Sequence, residues 1–421
     1  MRRGGKIMKR FNKVVSAAVA SAMVLAMAAC GGNASDGSQA ASSAANNNAA
    51  ASSEATGNTG ADQTVGTFVI GGIGPLTGGA AIYGNAAMNG AQIAVDEINA
   101  AGGINGAQIK FLKEDDEHDP QKSVNAYNSL KDQGMQILMG TVTSTPCVAV
   151  ADKTAADGMF QLTPSASSVD AVYNDNVFQV CFTDPNQGTK SAEYISEKKL
   201  ASKIGIIYDS SDVYSSGIKD TFVKEATVKG LEIVAEEAFT EATKTDFSTQ
   251  LQKCQSAGAE LVFMPFYYTE ASLVLTQANN MGYAPIFFGV DGMDGILSAE
   301  NFDTKLAEGL YMLTPFAADA TDAATVKFVD TYQKNYGETP IQFAADGYDA
   351  IYIIKAAIEE AGVTPDQSVK EIGDALKSAI TSITYNGITG AGKSMTWEAS
   401  GEVSKAPMAI IIKDGAYASV E

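Results

Sequence analysis

The stretch GPLTGGAAIYGNAAMNGAQIAVDEINAAGGING, residues 74–106, sets the pattern from which the fold follows. It opens with a Gly-rich turn and continues into a predicted helix, residues 84–100, whose small and apolar side chains recur on one face. That face carries Ala87, Ala91, Ala94, Val95 and Ile98. The apolar run at residues 65–73, just before the turn, predicts a strand. A strand, a turn and an amphipathic helix therefore form one structural unit of the predicted fold.

The same unit recurs through most of the chain. Further strands are predicted at residues 108–112, 135–139, 159–163, 177–182, 203–208, 231–235, 261–265 and 285–289. Helices are predicted between them at residues 121–132, 146–157, 216–228, 247–257 and 269–281. Short apolar runs that alternate with amphipathic helices indicate parallel sheets covered by helices on both faces. The pattern restarts near residue 177, so we predict an α/β protein with two doubly wound parallel sheets.

The N-terminal segment has the features of a secretion signal. Basic residues between positions 9 and 13 precede an apolar stretch, residues 14–29, that is short for a membrane span. The stretch ends in Ala-Ala-Cys, which is similar to the lipobox of bacterial lipoproteins, where the cysteine is lipidated and becomes the new N-terminus. We therefore predict a signal peptide at residues 1–29, lipidation of Cys30, and anchoring of the exported protein to the outer face of the cytoplasmic membrane.

A low-complexity segment follows the predicted lipidation site. Residues 30–64 consist almost wholly of Gly, Ala, Ser, Asn and Thr. Such a composition cannot bury enough apolar surface to compensate for the conformational entropy lost on ordering, so we predict a flexible linker. The globular part then begins near Val65.

The charge of the chain excludes two classes of partner. Its formal net charge is −20, and the predicted signal peptide contains basic residues but no acids, so the mature protein is more acidic still. Binding to nucleic acid gains its affinity from protein cations that neutralise phosphates, and electrostatic attraction to anionic lipid also requires positive charge on the protein. We therefore expect no nucleic-acid partner and no electrostatic adhesion to membranes.

The segment GITGAGKS, residues 387–394, matches the phosphate-binding pattern G-x-x-x-x-G-K-[ST]. That motif requires a helix directly after the loop, because the helix N-terminus holds the phosphates. The continuation MTWEASG, residues 395–401, instead alternates in character and indicates a short strand that runs into a turn. We therefore interpret residues 387–394 as a Gly-rich turn and expect no nucleotide.

The scarcity of particular side chains excludes several kinds of site. No arginine follows Arg10, so an anionic ligand group would be held without a guanidinium. His118 is the only histidine, which excludes most catalytic triads and His-cluster metal sites. It lies in the acidic run at residues 114–120, for which we predict a solvated loop at a strand end rather than a metal site. We expect no metal and no cofactor.

The loops after the predicted strands are rich in hydroxyl and aromatic side chains. These loops include residues 74–83, 141–145, 163–167, 209–214, 266–270 and 290–292. In doubly wound sheets, ligands bind in the crevice beyond the carboxyl ends of the strands. The sequence therefore predicts a ligand-binding crevice lined by hydroxyls and aromatic rings.

At this point the chain resembles the branched-chain amino-acid-binding proteins of ABC importers. The resemblance spans residues 65–421 and is carried by residues 74–106, by EDDEHDP at 114–120, by TPSAS at 163–167 and by TKTDFSTQLQK at 243–253. It implies the type I periplasmic-binding-protein architecture, with two Rossmann-like lobes joined by three crossover strands and closing on the ligand by a hinge. We predict residues 65–183 and 294–388 in the first lobe, and residues 184–293 and 389–421 in the second.

The resemblance also implies a set of ligand-binding residues. Ser144 and Ser167 match positions that hold the α-carboxylate of the ligand, and Ser165 matches one whose backbone carbonyl accepts from the ammonium, with Ala166 between them in the same segment. Glu270 matches the position of a carboxylate that binds the ammonium. The remaining positions are predicted to form the wall and rim: Tyr83, Tyr214, Tyr267 and Asp291.

Each of these positions has an alternative interpretation. The serines could cap the helices that follow them, and Glu270 could be an acid in the first turn of a helix, stabilised by the helix dipole. The tyrosines could be core residues, and Tyr268 could take the place of Tyr267. Well-studied members of the family have a cysteine where His118 stands, paired with one near Thr143; both are missing here. One disulfide is possible among Cys147, Cys181 and Cys254, but the sequence does not assign its two cysteines.

The resemblance implies the solute-binding component of an ABC importer. It would bind a small amino acid, branched-chain or hydrophobic, and deliver it to permease subunits in the membrane as a monomer, without making or breaking bonds. One alternative is a sensor that binds an amide, a polar amino acid or an aromatic acid and reports to a separate signalling partner. An exported hydrolase is a third reading, for which His118 is the only evident base.

Overall fold

The structure is a computed structural model, and it describes residues 66–420. The predicted signal peptide, the lipidation residue Cys30 and the predicted linker at residues 30–64 lie outside the described residues. No helix within residues 66–420 is both long enough and apolar enough to span a membrane.

The first sheet contains five strands within the described residues. These strands are β1 (Thr67–Gly74), β2 (Gln108–Asp115), β3 (Ile137–Gly140), β4 (Phe160–Thr163) and β5 (Val177–Gln179). They are parallel and lie in the order β2-β1-β3-β4-β5. The helices that connect them are α1 (Ala81–Ala100), α2 (Pro120–Asp132) and α3 (Ser144–Asp157). This is the parallel, helix-covered sheet that the alternation predicted.

The second sheet contains seven strands of the described chain: β6 (Lys203–Asp209), β7 (Glu232–Phe239), β8 (Leu261–Met264), β9 (Ile286–Gly289), β10 (Tyr311–Thr314), β13 (Met408–Lys413) and β14 (Ala416–Ser419). They lie in the order β14-β13-β10-β9-β8-β6-β7. Strands β6 to β10 are parallel, whereas β13 and β14 form an antiparallel hairpin at the edge. The accompanying helices are α4 (Asp184–Glu197), α5 (Val213–Lys229), α6 (Ser248–Ser256) and α7 (Tyr268–Asn280).

The remaining helices of the described chain cover the first sheet. They are α8 (Ala323–Tyr336), α9 (Gln342–Ala361) and α10 (Val369–Ile380), and a short hairpin follows as β11 (Tyr385–Asn386) and β12 (Ser394–Met395). Helices α8 and α9 pack against α1, and α10 packs against α9 and β4. Short 3₁₀ turns occur at Val169–Val172, Glu241–Thr243, Asp291–Met293, Ile296–Ser298 and Thr304–Ala307.

Two glycines let α1 and α9 approach to backbone contact. A Cβ atom on Gly90 would lie 1.8 Å from the carbonyl oxygen of Ala344, and one on Gly347 would lie 2.1 Å from that of Ala87. Neither distance leaves room for a side chain, so the sequence must have glycine at both crossing points. This close packing ties α9, which comes late in the chain, to the first strand and helix of the fold.

The strands and helices predicted from the sequence are present, with ends that move by four residues or fewer. The boundary between the two units differs, however. Strand β10 lies within the range 294–388 that was assigned to the first lobe, yet it pairs with β9 and β13 of the second sheet. The assignment of 294–388 to the first lobe therefore does not hold for this strand. We propose that the chain crosses to the first lobe near Pro315, after β10.

The Gly-rich segment 387–394 does not form a phosphate loop. It connects β11 to β12 and is followed by a strand and a turn, as predicted, and not by a helix. Its backbone is held by the buried carboxylate of Asp349, which accepts from the N–H groups of Ile388 and Thr389 at 3.1 Å. A Cβ on Gly387 would lie 2.4 Å from that carboxylate, so glycine is required there by packing. Lys393 pairs with Asp322 at the surface.

Candidate functional site

The predicted ligand-binding residues follow the carboxyl ends of strands in both sheets. Ser144 begins α3 after β3, and residues 165–167 follow β4 in the first sheet. Tyr214 lies in the first turn of α5 after β6, and Asp291 begins a 3₁₀ turn after β9 in the second sheet. The two sheets thus present these residues to one crevice, as expected for this class of fold.

On the first-sheet side, Ser144 occupies the centre of a hydrogen-bond network. Its buried Oγ accepts from the backbone N–H groups of Ser167 and Ser168, both at 3.2 Å. A hydroxyl has two lone pairs and one proton, so two accepted bonds leave the O–H free to donate. Ser165 differs, because its O–H donates to the carbonyl of Val142 at 2.6 Å. Ser144 is therefore the serine that is equipped to donate to an anionic ligand group.

On the second-sheet side, Asp291 is held by a tyrosine. Tyr214 Oη donates to Oδ1 of Asp291 at 2.6 Å and accepts from the N–H of Gly292 at 2.9 Å. Asp291 is 4 % exposed, and burial raises its pKa to about 7 despite the hydrogen bond from Tyr214. Within residues 66–420, Asp291 forms no ion pair. It is thus a buried carboxylate that would gain from a cationic partner.

Glu270 lies in different surroundings from Asp291. Its Oε1 is 3.5 Å from Nζ of Lys244, which also pairs with Glu241 at 2.9 Å. Burial raises the pKa of Glu270, and Lys244 opposes this rise. Glu270 lines a cavity of about 460 Å³ that also contains His118 and Asp212, whereas it does not line the space between Ser144 and Asp291. Glu270 is therefore already paired with a cation, the ammonium group of Lys244.

The space between Ser144 and Asp291 is nearly filled by protein side chains. It has a volume of about 10 Å³ and is lined by Ser144, Ser165, Tyr214, Tyr267 and Asp291, among others. The rings of Tyr214 and Tyr267 stack there with centroids 4.9 Å apart and planes inclined by 8°. A cavity of this size holds at most one water molecule. The space between Ser144 and Asp291 is therefore closed, and a larger ligand can enter it only if the two halves separate or Tyr267 moves.

The other predicted residues surround this space. Tyr83 is fully buried, donates to the carbonyl of Gly292 and accepts from the N–H of Tyr268 at 3.1 Å, so it bridges the two halves. Ala166 is buried, and its carbonyl accepts from Nε2 of Gln179 at 2.8 Å. The Oγ of Ser167 is buried with no hydrogen-bond partner among the described residues.

Several residues near the site were missed or misjudged from the sequence. His118 was predicted to be solvated, but its Nδ1 lies 2.9 Å from Oγ1 of Thr143 and its ring packs edge-on against Tyr267. Gln187 accepts from the N–H of Asp291 at 3.2 Å, and Gln342 donates to the carbonyl of Asp291 at 2.5 Å. Gln187 belongs to α4, a helix that was not predicted, although Pro185 at its first turn is a usual start signal.

The described His, Cys, Asp and Glu side chains form neither a metal-ligand cluster nor a disulfide. No group of three or more His, Cys, Asp or Glu within residues 66–420 is arranged to hold a metal ion. The described cysteines, Cys147, Cys181 and Cys254, are all buried free thiols, so the disulfide left open by the sequence does not form among them. The site consists of hydroxyls, aromatic rings, backbone groups and carboxylates.

Two Rossmann-like halves that meet at a crevice of this composition define a two-lobed solute-binding protein of type I architecture. The family model for periplasmic binding proteins matches residues 67–410. The chain belongs to that family.

The curated relatives are amino-acid-binding proteins. The chain is 31% identical over 332 residues to the Leu/Ile/Val-binding protein homolog 3 of Brucella melitensis, covering 77% of this chain and 88% of the relative. It is 28% identical over 300 residues to a leucine-, isoleucine-, valine-, threonine- and alanine-binding protein of Pseudomonas aeruginosa, covering 71% and 79%.

Solved structures agree with this fold. One is the substrate-binding protein LivJ of a branched-chain amino acid transporter from Streptococcus pneumoniae, which was solved in complex with isoleucine. Its sequence is 29% identical to this chain and its TM-score is 0.76, and the match covers 84% of this chain and 99% of that chain. The leucine-binding protein LivK from Thermotoga maritima has a TM-score of 0.74, and the match covers 84% of this chain and 98% of that chain. Its sequence identity to this chain is 24%, so this match supports the fold alone.

Proposed function

We propose that this chain is the solute-binding component of an ABC importer and that it binds a small amino acid, branched-chain or otherwise hydrophobic, between its two halves. The observation that carries the proposal is the pairing of Ser144, with a free hydroxyl proton, and Asp291, a buried carboxylate without a cation, across one small space. A zwitterion has an anionic and a cationic group on the same carbon, which is the complement of this pair.

The proposal changes the residue assigned to the ammonium group. From the sequence, Glu270 was expected to bind the ammonium and Asp291 to lie at the rim. The salt bridge to Lys244 supplies Glu270 with a cation, whereas Asp291 faces the space that Ser144 lines. We therefore assign the ammonium to Asp291 and the carboxylate to Ser144, with the N-terminus of α3 adding a favourable dipole for the anion.

The apolar part of the ligand would contact aromatic rings. Tyr214, Tyr267 and Phe343 line the same small space, and Tyr83 packs on Phe343 with ring centroids 4.3 Å apart. These rings fill the crevice in the closed structure, so the ligand must replace ring contacts with its own side chain as the halves close around it. A planar polar or strongly charged side chain on the ligand would lose its hydration there without gaining a hydrogen-bonding partner.

Closure is the signal that an importer would read. The closed structure is held by hydrogen bonds across the crevice, such as Thr269 Oγ1 to the carbonyl of Gly79 at 2.7 Å and Thr145 Oγ1 to Asp212 Oδ1 at 3.0 Å. A ligand that contacts both halves stabilises this arrangement by its differential affinity for it. We propose that the closed form is delivered to permease subunits, and that the protein acts without catalysis.

The remaining parts of the proposal concern anchoring and assembly. We propose export through the signal peptide at residues 1–29, lipidation of Cys30 and a monomeric state. A sensor that reports to a separate partner would use the same crevice, so the choice between importer and sensor depends on whether uptake of the ligand into cells requires the protein.

The proposed function is tested by calorimetric titration with isoleucine and two analogues. N-acetylisoleucine lacks the ammonium, and isoleucinamide lacks the carboxylate. We expect isoleucine to bind and each analogue to bind at least about 100-fold more weakly, because a buried charged group would be left without its partner. Equal affinity for isoleucine and N-acetylisoleucine would contradict the assignment of an ammonium site. Chemical turnover of bound isoleucine would contradict the absence of catalysis.

A further inference from the structure

A mainly apolar recess outside the amino-acid crevice lies beside the crossover that follows β10. This space, here called the crossover cavity, has a volume of about 410 Å³ and is bounded by Leu297, Phe316, Val329, Ile341 and Tyr417, among others. Its volume lies in the range of small-molecule sites, which are concave, mostly apolar and supplied with few polar groups. The amino-acid crevice does not share these residues.

The crossover cavity is built from both halves of the protein. Leu297 and Tyr417 belong to the second-sheet side, where Tyr417 Oη accepts from the N–H of Gly295 at 3.0 Å. Val329 lies on α8 and Ile341 just before α9, helices that pack on α1 of the first-sheet side. A molecule in this cavity therefore touches both halves in the closed arrangement.

The charge of the cavity lining has one sign. Three carboxylates line it, those of Asp294, Asp319 and Glu338, and none of the side chains that line it is a lysine, arginine or histidine. Asp294 is buried at the boundary of the cavity, while Asp319 and Glu338 are exposed. An apolar chamber with carboxylates and no cation complements a ligand that has an apolar body and a positive charge.

One residue joins the crossover cavity to the amino-acid crevice. The N–H of Gln342 donates to Oδ2 of Asp294 at 2.8 Å, and its side-chain Nε2 donates to the carbonyl of Asp291 at 2.5 Å. Asp294 lines the cavity and Asp291 lines the crevice, so Gln342 contacts one residue of each site.

We propose that the crossover cavity is a second binding site, for a small amine with an apolar body, and that its occupation stabilises the closed arrangement. Because both sites favour closure, the amine and the amino acid bind with positive cooperativity, and each strengthens the other by the same factor. The coupling rests on the proposed function, whereas amine binding in the cavity does not.

The probe for this site is 2-phenylethylamine, with phenylacetate as a control of similar shape and opposite charge. Titrations up to about 10 mM are made on the full chain without isoleucine and with saturating isoleucine. We expect saturable binding of the amine in both cases, about fivefold or more tighter with isoleucine, and no binding of phenylacetate. Competition between the amine and isoleucine, or absence of amine binding, would overturn the proposal.

Two pairs of variants locate the site. Ala318→Trp places an indole in the cavity, and Ala320→Trp is the same change at a position outside its lining. Glu338→Gln removes an exposed carboxylate of the cavity, and Asp330→Asn removes one on α8 outside it. We expect the affinity for 2-phenylethylamine to fall about tenfold or more in the first variant and about threefold in Glu338→Gln, with no change in either control.

The outcomes separate this proposal from the proposed function. Unchanged amine binding in Ala318→Trp, or in Glu338→Gln if Ala318→Trp does not fold, would overturn the crossover cavity as the site. Isoleucine binding should persist in Ala318→Trp. Amine binding that is lost in Ala318→Trp, in a protein that fails to bind isoleucine at all, would support the cavity while contradicting the amino-acid proposal.

Discussion

The hydroxyl oxygen of Tyr214 lies 2.6 Å from Oδ1 of Asp291, and the same hydroxyl accepts from the N–H of Gly292 at 2.9 Å. Tyr214 comes from the first turn of α5 and Asp291 from the 3₁₀ turn after β9, so two loops of the second sheet fix one carboxylate. This contact orients Asp291 before any ligand binds, which reduces the entropy that a ligand must overcome.

Asp291→Asn should weaken isoleucine binding by about 30-fold or more, because the ammonium would lose its buried charged partner. Glu270→Gln should weaken it by about threefold at most, since Glu270 pairs with Lys244 and does not line the space beside Ser144. Calorimetry on both variants gives the comparison, and circular dichroism checks that each is folded. A large loss in Glu270→Gln with a small loss in Asp291→Asn would restore the assignment made from the sequence.

Isoleucine affinity should rise with pH as Asp291 ionises. Burial raises the pKa of Asp291 to about 7 in the ligand-free protein, and the ammonium needs the ionised carboxylate. We therefore expect the association constant to increase by up to about tenfold per pH unit below pH 7 and to level off above pH 8. Titrations between pH 5 and pH 9 would show this curve. Asp291→Asn should give a flat profile, and an equally steep profile in that variant would assign the titration to another group.

The stability of the ligand-free protein should respond to pH in the opposite sense. Between an unfolded pKa near 3.8 and a folded pKa of about 7, the folded state holds the Asp291 proton more tightly than the unfolded state. The free energy of unfolding therefore falls as pH rises through that window. At pH 8, Asp291→Asn should be more stable than the unsubstituted protein by up to about 4 kcal/mol. Urea denaturation at pH 5 and pH 8 measures the difference, which should be less than half as large at pH 5.

Removing a hydrogen bond that crosses the crevice should weaken binding without touching the ligand. Thr269→Val deletes the hydroxyl that donates to Gly79 on the opposite side, so the closed form loses about 1 kcal/mol. We expect isoleucine affinity to fall about threefold to tenfold, mainly through faster dissociation. Thr331→Val is the control, because its hydroxyl bonds to Lys327 within α8. Equal dissociation rates in all three proteins, by stopped-flow measurement, would show that this bond does not contribute to closure.

The buried ion pair between Lys405 and Asp346 should be the costliest to break. Nζ of Lys405 lies 2.9 Å from Oδ1 of Asp346 and 2.6 Å from Oγ1 of Thr389, and both charged side chains are almost fully buried. Lys405→Met leaves Asp346 without a cation and should cost about 3–5 kcal/mol of unfolding free energy. Lys393→Met breaks a partly exposed pair with Asp322 and should cost about 1 kcal/mol or less. Urea denaturation compares the two, and similar losses would contradict the role of burial.

Local patterns were sufficient to predict most of the fold. The period of the apolar residues marked strands such as β1 and helices such as α1, because that period depends only on neighbouring residues. The pattern failed for α4, whose buried face consists mainly of polar and small residues, and for β10, a four-residue strand. It also placed the second crossover before β10, since the sheet to which a short strand belongs depends on distant partners.

The sequence by itself determined the alternation of strands and helices, the hydroxyl-rich loops at their ends, and the absence of arginine and of all but one histidine, since these are properties of composition and local order. Only the tertiary structure decided which acid lies opposite Ser144. Asp291 and Glu270 both follow strands of the second sheet, and their neighbours in sequence do not distinguish them. Lys244 forms a salt bridge with Glu270, whereas no cation of the described chain pairs with Asp291. The two acids therefore differ in role because charge and burial depend on residues that are close in space but distant in sequence.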